Sequence, residues 1–255
     1  MAQRYYLPGF EKQLTGTTLG SNNCAAASGA MLIKQATLGI KNPSADWVRR
    51  KTGDTEGGLM MNQIASVMDE MGIDVMLFDH NDKLKYKRLA RLLRRGAFAV
   101  VAGDYDVIPE RLNGADYDGF HGVFYHQRFK INQRVGDPLN DGRRGDVPEG
   151  YVKWPNDIAY RYVRKFDRQT TGGIHAVVMV PYYAKTRSEV IEAEIHSKPS
   201  KDSPIIGTLK QGQKIATGGT VKGDEIVGVD RWRKVWVPKA KSTGFVHWSV
   251  TYKSK

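Results

Sequence analysis

The spacing of apolar residues changes after Arg95, and that change constrains the fold more than any other feature. Up to Arg95 the apolar positions recur every three or four residues, the repeat of one helix face. Beyond it, β-branched and aromatic runs are cut by Gly, Asp and Asn, the pattern of strands and turns. Asn23 to Ala36 (NCAAASGAMLIKQA) predicts a helix opening at Cys24, with Asn22 or Asn23 as its cap. Leu59 to Gly72 predicts a second helix ending at the glycine. Lys83 to Arg95 predicts a third, with Leu84, Leu89, Leu92 and Leu93 on one side and basic residues on the other. AFAVVAGDYDVI, HGVFYHQRF and HAVVMVPYY read as strands, with a helical segment from Trp154 to Phe166 before the last. Helices followed by an antiparallel sheet make the class α+β.

From Glu189 onward the pattern changes again. VIEAEIHS, PIIGTLKQGQKIA, EIVGVD, RWRKVWVP and TGFVHWSV are short strands separated by turns, a spacing that predicts a small, closed, all-β barrel. The polar stretch Lys185 to Ser188 marks the expected boundary, giving domains 1–185 and 186–255. A length of 255 residues accommodates one larger and one smaller core.

Composition removes several classes. With 40% hydrophobic and 26% charged residues the chain is expected to fold rather than stay disordered. No apolar run approaches the roughly 20 residues that span a bilayer, so no membrane insertion is expected. The start MAQRYYLPGFEK lacks the basic stretch and apolar core of a secretory signal. The charge of +12 is spread over both halves and favours an anionic surface: nucleic acid, teichoic acid or peptidoglycan. No interleaving of aromatic and basic residues specifies nucleic acid. One cysteine excludes an internal disulfide and a CxxC zinc site. There is no HExxH helix, GxSxG elbow or phosphate-cradling loop, and no cofactor or metal is expected. Asp104, Asp106, Asp116 and Asp118 share one loop, read as solvated, with a hard cation such as calcium as the alternative.

The remaining chemistry centres on Cys24. A thiolate is the attacking species, and the free N–H groups of a helix N-terminus stabilise it. A paired histidine deprotonates the thiol further, and a third group orients that imidazole. His121 begins one strand, and Asp137 ends the next after a turn at Lys130 to Gln133, so a hairpin sets them at the same end. Alone, Cys24 reads as a small buried apolar residue, His121 as a strand residue and Asp137 as a turn-former before Pro138. Together they point to a nucleophile, a base and an orienter. His126 lies at an odd offset from His121 and faces the other way. His175, also at a strand start, is the alternative base. His80, His196 and His247 are read as structural.

The segments NNCAAASGAML, FHGVFYHQRF and VGDPLNDG resemble papain-like cysteine peptidases of the bacteriocin-processing and phage-lysin type, over about residues 3–183. That resemblance implies a papain-like domain in which Cys24 attacks an amide carbonyl, His121 serves as base and then acid, and Asp137 orients His121. The oxyanion would rest on the Cys24 backbone N–H and one side-chain donor. The family usually carries a glutamine about six residues before the nucleophile, where this chain has Thr18. Gln13, Asn22 and Asn23 are the candidates to replace it. Ala25 stands where a glycine usually follows the cysteine. These two departures leave open a virion structural or attachment protein that keeps the fold with little catalysis.

Residues Val190 to Val250, with HSKPSKDSPIIGTLKQGQKI, RWRKVWV and TGFVHWSV in order, resemble bacterial SH3-like domains of wall hydrolases. This implies binding to wall peptides or polymers through exposed aromatics, with Trp232, Trp236, Trp248 and Tyr252 as candidates. Docking within a phage particle is the alternative. The combined expectation is a phage-type peptidoglycan hydrolase, an endopeptidase or amidase, whose partners are the bacterial cell wall and phage virion proteins. Its expected location is the host cytoplasm and then the wall, or the virion.

Overall fold

The computed structural model describes residues 6–13, 22–54, 57–79, 85–115, 117, 119–142, 149–169, 174–181 and 183–254. Within these ranges the side chains at 85, 86, 127, 165–169, 174 and 175 lie outside the description. The chain forms two compact units. The larger comprises Gly9–Ile33 and Asn42–Val180, and the smaller Met1–Pro8, Lys34–Lys41 and Pro181–Lys255.

The larger unit carries five helices: α1 (Cys24–Ala36, its last turn counted with the smaller unit), α2 (Ala45–Thr52), α3 (Met61–Glu70), α4 (Lys85–Arg94) and α5 (Asn156–Gln169). Its strands are β1 (Met76–Asp79), β2 (Phe98–Asp104), β3 (Phe120–Arg128), β4 (Asn132–Gly136), β5 (Tyr151–Pro155) and β6 (Ile174–Met179). They form one sheet in the order β1-β6-β2-β3-β4-β5, every pair antiparallel. Helices and strands therefore interleave, where helices followed by strands were expected. β1 is a four-residue strand whose partner β6 lies far along the chain, so its register comes from tertiary pairing and leaves no local period.

Both faces of the sheet are covered. On one face Val123 and Tyr125 join Leu89 and Leu93 of α4 and Ile158 and Tyr162 of α5 in a single core. Each fully buried apolar side chain contributes roughly 1.5–3 kcal/mol relative to exposure. The other face receives α1. Gly122 and Gly136 share that face with Phe124 by strand alternation and cross-strand pairing, and added side chains there would meet Ala25 and Met31 of α1. The alanines Ala25, Ala26, Ala27 and Ala30 are all buried, and their small size allows the helix to approach the sheet closely. α2 begins at a Ser44 cap, whose side chain accepts from the Trp47 N–H at 3.2 Å, and ends at Gly53 with φ 70°.

The smaller unit contains β7 (Tyr183–Thr186), β8 (Glu192–His196), β9 (Ile205–Lys210), β10 (Lys214–Ile226), β11 (Val229–Val237), β12 (Ser242–His247) and β13 (Thr251–Ser254). Their order is β13-β7-β10-β11-β12-β8-β9, again with antiparallel pairs. Ala184, Ala193, Ile195, Leu209, Val235 and Val246 are among its buried core. The C-terminal segment of this unit begins at Pro181, and Lys185 and Thr186, in the polar stretch, belong to β7. The strand alternates half-buried Tyr183 and Lys185 with buried Ala184 and Thr186. Among the described residues no helix is long and apolar enough to cross a membrane.

Trp232 differs from its expectation as an exposed binding residue. It is 1% exposed, packed edge-on against His196 and His247, and its Nε1–H donates to the Asp224 carbonyl at 2.9 Å. An indole with its donor satisfied inside a core is a packing residue.

Candidate active site

Cys24 is the first residue of α1 and is partly exposed. The first helical bond of this end runs from the Ala27 N–H to the Asn23 carbonyl at 2.8 Å, so the N–H groups before it are left without helix acceptors. Gly122 fixes where this helix end sits. A Cβ at Gly122 would lie 3.2 Å from both the nitrogen and Cα of Ala25. Only a residue without a side chain lets α1 meet β3 so closely. The Ser28 hydroxyl donates to the Gly122 carbonyl at 3.0 Å and pins the same junction.

His121 immediately precedes that glycine. Its Nε2 lies 2.8 Å from Asp137 Oδ1, and both side chains are buried. With Nε2 turned to the carboxylate, Nδ1 is the ring nitrogen left to face the sulfur, and Cys24 and His121 are near enough for each to shift the other's pKa. Asp137 accepts two further bonds: Oδ1 from the Leu139 N–H at 3.0 Å and Oδ2 from the Tyr105 hydroxyl at 2.5 Å. The carboxylate is thereby held by three donors. Tyr105 also meets the His121 ring edge-on, with centroids 4.9 Å apart.

Burial alone pushes a thiol pKa up and an imidazole pKa down. At Cys24 that desolvation is outweighed by the hydrogen bond and charge of His121 and by the Gly122 and Ala25 backbone N–H groups, and its pKa is lowered. At His121 desolvation is outweighed by the charge and hydrogen bond of Asp137 and by Cys24, and its pKa rises to about 9. The two shifts have one meaning: the pair favours thiolate and imidazolium over thiol and imidazole.

Several positioning residues carry no strong sequence signal. Arg49 of α2 is buried; its Nε donates to the Asn23 side-chain oxygen, and one terminal nitrogen donates to the Asn22 carbonyl at 2.7 Å. Asn23 Nδ2 donates to Asp46 at 3.0 Å. Two side chains of α2 thus clamp the two residues before the nucleophile. Tyr162 of α5 donates its hydroxyl to the His121 carbonyl, and it packs where Gly103, paired with His121 across β2 and β3, has no side chain.

The other expected residues separate clearly. The Asn23 amide, a candidate oxyanion donor and cap, is committed to Asp46 and Arg49 and caps nothing; the cap position is held by its carbonyl alone. Asn22 is exposed, with its carbonyl turned to Arg49. Gln13 is buried, and its backbone N–H donates to the Pro138 carbonyl at 3.0 Å, next to Asp137. Thr18, His80, Asp116, Asp118 and the His175 side chain lie outside the described residues. His126 is buried against Phe98, Phe124 and Tyr151. Asp104 and Asp106 serve their own loop: Asp104 accepts from the Asp106 N–H at 3.0 Å and Asp106 from the Gly119 N–H at 3.1 Å. Among the described residues no group of three or more His, Cys, Asp or Glu could hold a metal ion.

No family model and no curated protein matches this chain. Among solved structures it is similar to a C39-like peptidase from Bacillus anthracis, at 13% identity over 68% of this chain and 94% of that one, with a TM-score of 0.46. The peptidase domain of Streptococcus ComA, a bi-functional ABC transporter involved in quorum sensing, matches at 13% identity over 62% and 90%, with a TM-score of 0.38. Ly7917 matches at 12% identity over 80% and 72%, with a TM-score of 0.23. At such scores these likenesses bear on neither the chemistry nor the substrate of this chain, and the site stands on its own geometry.

Proposed function

We propose that this chain hydrolyses amide bonds of bacterial peptidoglycan, with Cys24 as nucleophile, His121 as proton carrier and Asp137 as the group that orients His121. The observation carrying this reading is the convergence of a partly exposed thiol at a helix start with a buried histidine–carboxylate pair. The Cys24 thiolate adds to the carbonyl carbon, and the His121 imidazolium then gives its proton to the departing amine, leaving a thioester. His121, now neutral, takes a proton from water, whose oxygen attacks the thioester and releases the acid and the Cys24 thiolate, which restores the thiolate–imidazolium pair. The oxyanion rests on the Cys24 backbone N–H, with the Gln13 side chain as second donor; the support for Gln13 is its burial beside Pro138.

In this reading the smaller unit is an SH3-like module that holds the enzyme on the wall, and the protein acts as a phage-type lysin. Its support is the strand pattern of Val190 to Val250 together with the net charge of +12, which suits an anionic wall. A zymogram on purified walls tests the whole. Clearing by the wild type and none by Cys24→Ala supports the enzyme. No clearing by either, with both folded, contradicts it and leaves a virion scaffold.

A further inference from the structure

A second cluster of chemistry lies in the smaller unit. A cleft of about 520 Å³ opens between β7, β13 and the β9–β10 turn, lined by Lys185, Arg187, Ser188, Glu189, Gln211 and Tyr252 among others. Strand register puts Lys185 and Tyr252 of the lining side by side, with Lys214 on the far side of Lys185. Lys185 pairs with Lys214 of β10 on one side and with Tyr252 of β13 on the other, and directly opposed residues share a sheet face. Among the described residues neither Lys185 nor Arg187 makes an ion pair at salt-bridge distance with an acidic group.

A further cation, Arg233, lies within electrostatic reach of Arg187. Arg233 is 4% exposed and stacks on Trp248 at 3.5 Å, and its guanidinium bonds only to Thr251, through Nε at 3.0 Å. Among the described residues no carboxylate neutralises it, which is costly for a buried charge. Burial and the nearby charge of Arg187 push its pKa down to about 10. Glu189, the one acid among the described lining residues, is exposed and accepts from the Ser188 hydroxyl at 3.0 Å, so the cations outnumber it.

The cleft also has a fixed rim and an aromatic wall. The Gly212 N–H donates to Thr186 Oγ1 at 3.0 Å, and Gln211 Nε2 donates to the Ser188 carbonyl, so little ordering is left for a ligand to impose. Tyr252 is 40% exposed. Its ring offers a flat apolar face beside cationic donors. A bare phosphodiester chain would leave that ring unused, and a single-stranded nucleic acid needs successive stacking platforms. Tyr183 lies under the Lys214 ammonium at 5.9 Å.

We propose that this cleft binds a sugar bearing a carboxylate, the ring resting on Tyr252 and the acid held by Lys185 and Arg187. The inference deepens the wall-hydrolase reading and rests on it for the source of the ligand. Binding is measured by calorimetry on the full chain carrying Cys24→Ser, so no turnover intervenes. The probes are an N-acetylated disaccharide with a lactyl carboxylate, its methyl ester, a glycerol phosphate polymer and a single-stranded oligonucleotide. The carboxylate saccharide is expected to bind, and to bind at least about tenfold more weakly to Arg187→Gln, Lys185→Gln and Tyr252→Ala, since each removes a charge-assisted bond or the stacking face. Equal binding of the methyl ester, tighter binding of the polymer or oligonucleotide, no binding of the carboxylate saccharide, or variants that bind as well as the parent would overturn the assignment. Wall clearing by the wild type is scored separately. A protein that binds the saccharide but clears no wall refutes the hydrolase and leaves the cleft standing; one that clears walls without binding it does the reverse.

Discussion

His121 Nε2 lies 2.8 Å from Asp137 Oδ1 although the two residues are not paired in the β3–β4 ladder, whose last pair at that end is Phe124 with Gly136. Both lie just beyond the paired region, where the strands are free to part. There the carboxylate gathers the imidazole, the Tyr105 hydroxyl and the Leu139 N–H. An acceptor held by three donors cannot rotate away, so the ring it bonds stays aimed at the thiol.

Asp137→Asn keeps the shape and removes the charge. It is expected to lower hydrolysis by about 10²–10⁴-fold, because the proton carrier His121 loses the charge that orients its ring and stabilises its imidazolium. Tyr105→Phe removes one donor of roughly 1 kcal/mol and is expected to cost tenfold or less. Steady-state rates beside circular dichroism check both, and a larger loss for Tyr105→Phe than for Asp137→Asn would contradict this order.

Gly122→Ala sets a methyl group 3.2 Å from the backbone of Ala25. Backbone cannot move aside as a flexible side chain does, so the opening of α1 must shift, at about 1–3 kcal/mol. Activity is expected to fall at least tenfold, with Cys24 alkylation slowing in parallel. Unchanged alkylation would mean that the close approach does not position the thiol.

Arg49→Leu leaves the Asn23 oxygen and the Asn22 carbonyl without their donor. A loss of about 2–4 kcal/mol in stability is expected, read as a lower denaturant midpoint, together with slower turnover. Arg49→Lys is expected to restore little, because one ammonium cannot reproduce a fork that reaches two acceptors.

His121 binds its proton more tightly folded, at about 9, than at its ordinary value of 6.5. Its protonated form therefore adds stability that is complete below pH 6.5 and fades as pH rises through about 9. The gap in urea midpoint between wild type and His121→Gln is expected to be widest below pH 6.5 and to narrow toward pH 9. A gap that widens with rising pH would reverse the sign.

Much of this architecture was legible locally. The alanine-rich run opening at Cys24 and the hairpin bearing His121 and Asp137 each carry a strong period, and α3 and α4 lie within the stretches their leucine and methionine spacing marked. The misses share a cause. α2 is short, basic and without a clear apolar stripe, so the Arg49 and Asp46 clamp is invisible until the fold brings it to Asn23. β1 depends on a partner nearly a hundred residues away. Trp232 sits on an alternating strand, and alternation does not say which face is inside; the packing of His196 and His247 decides it.

The central claim is that His121 and two backbone N–H groups hold Cys24 as a thiolate. It is tested most directly by the rate of iodoacetamide alkylation as a function of pH, for the wild type and His121→Gln. The expected wild-type profile has its inflection well below the ordinary thiol value of about 8.5, and His121→Gln moves it back up. A wild-type inflection at the ordinary value, or one that His121→Gln leaves in place, would contradict the account.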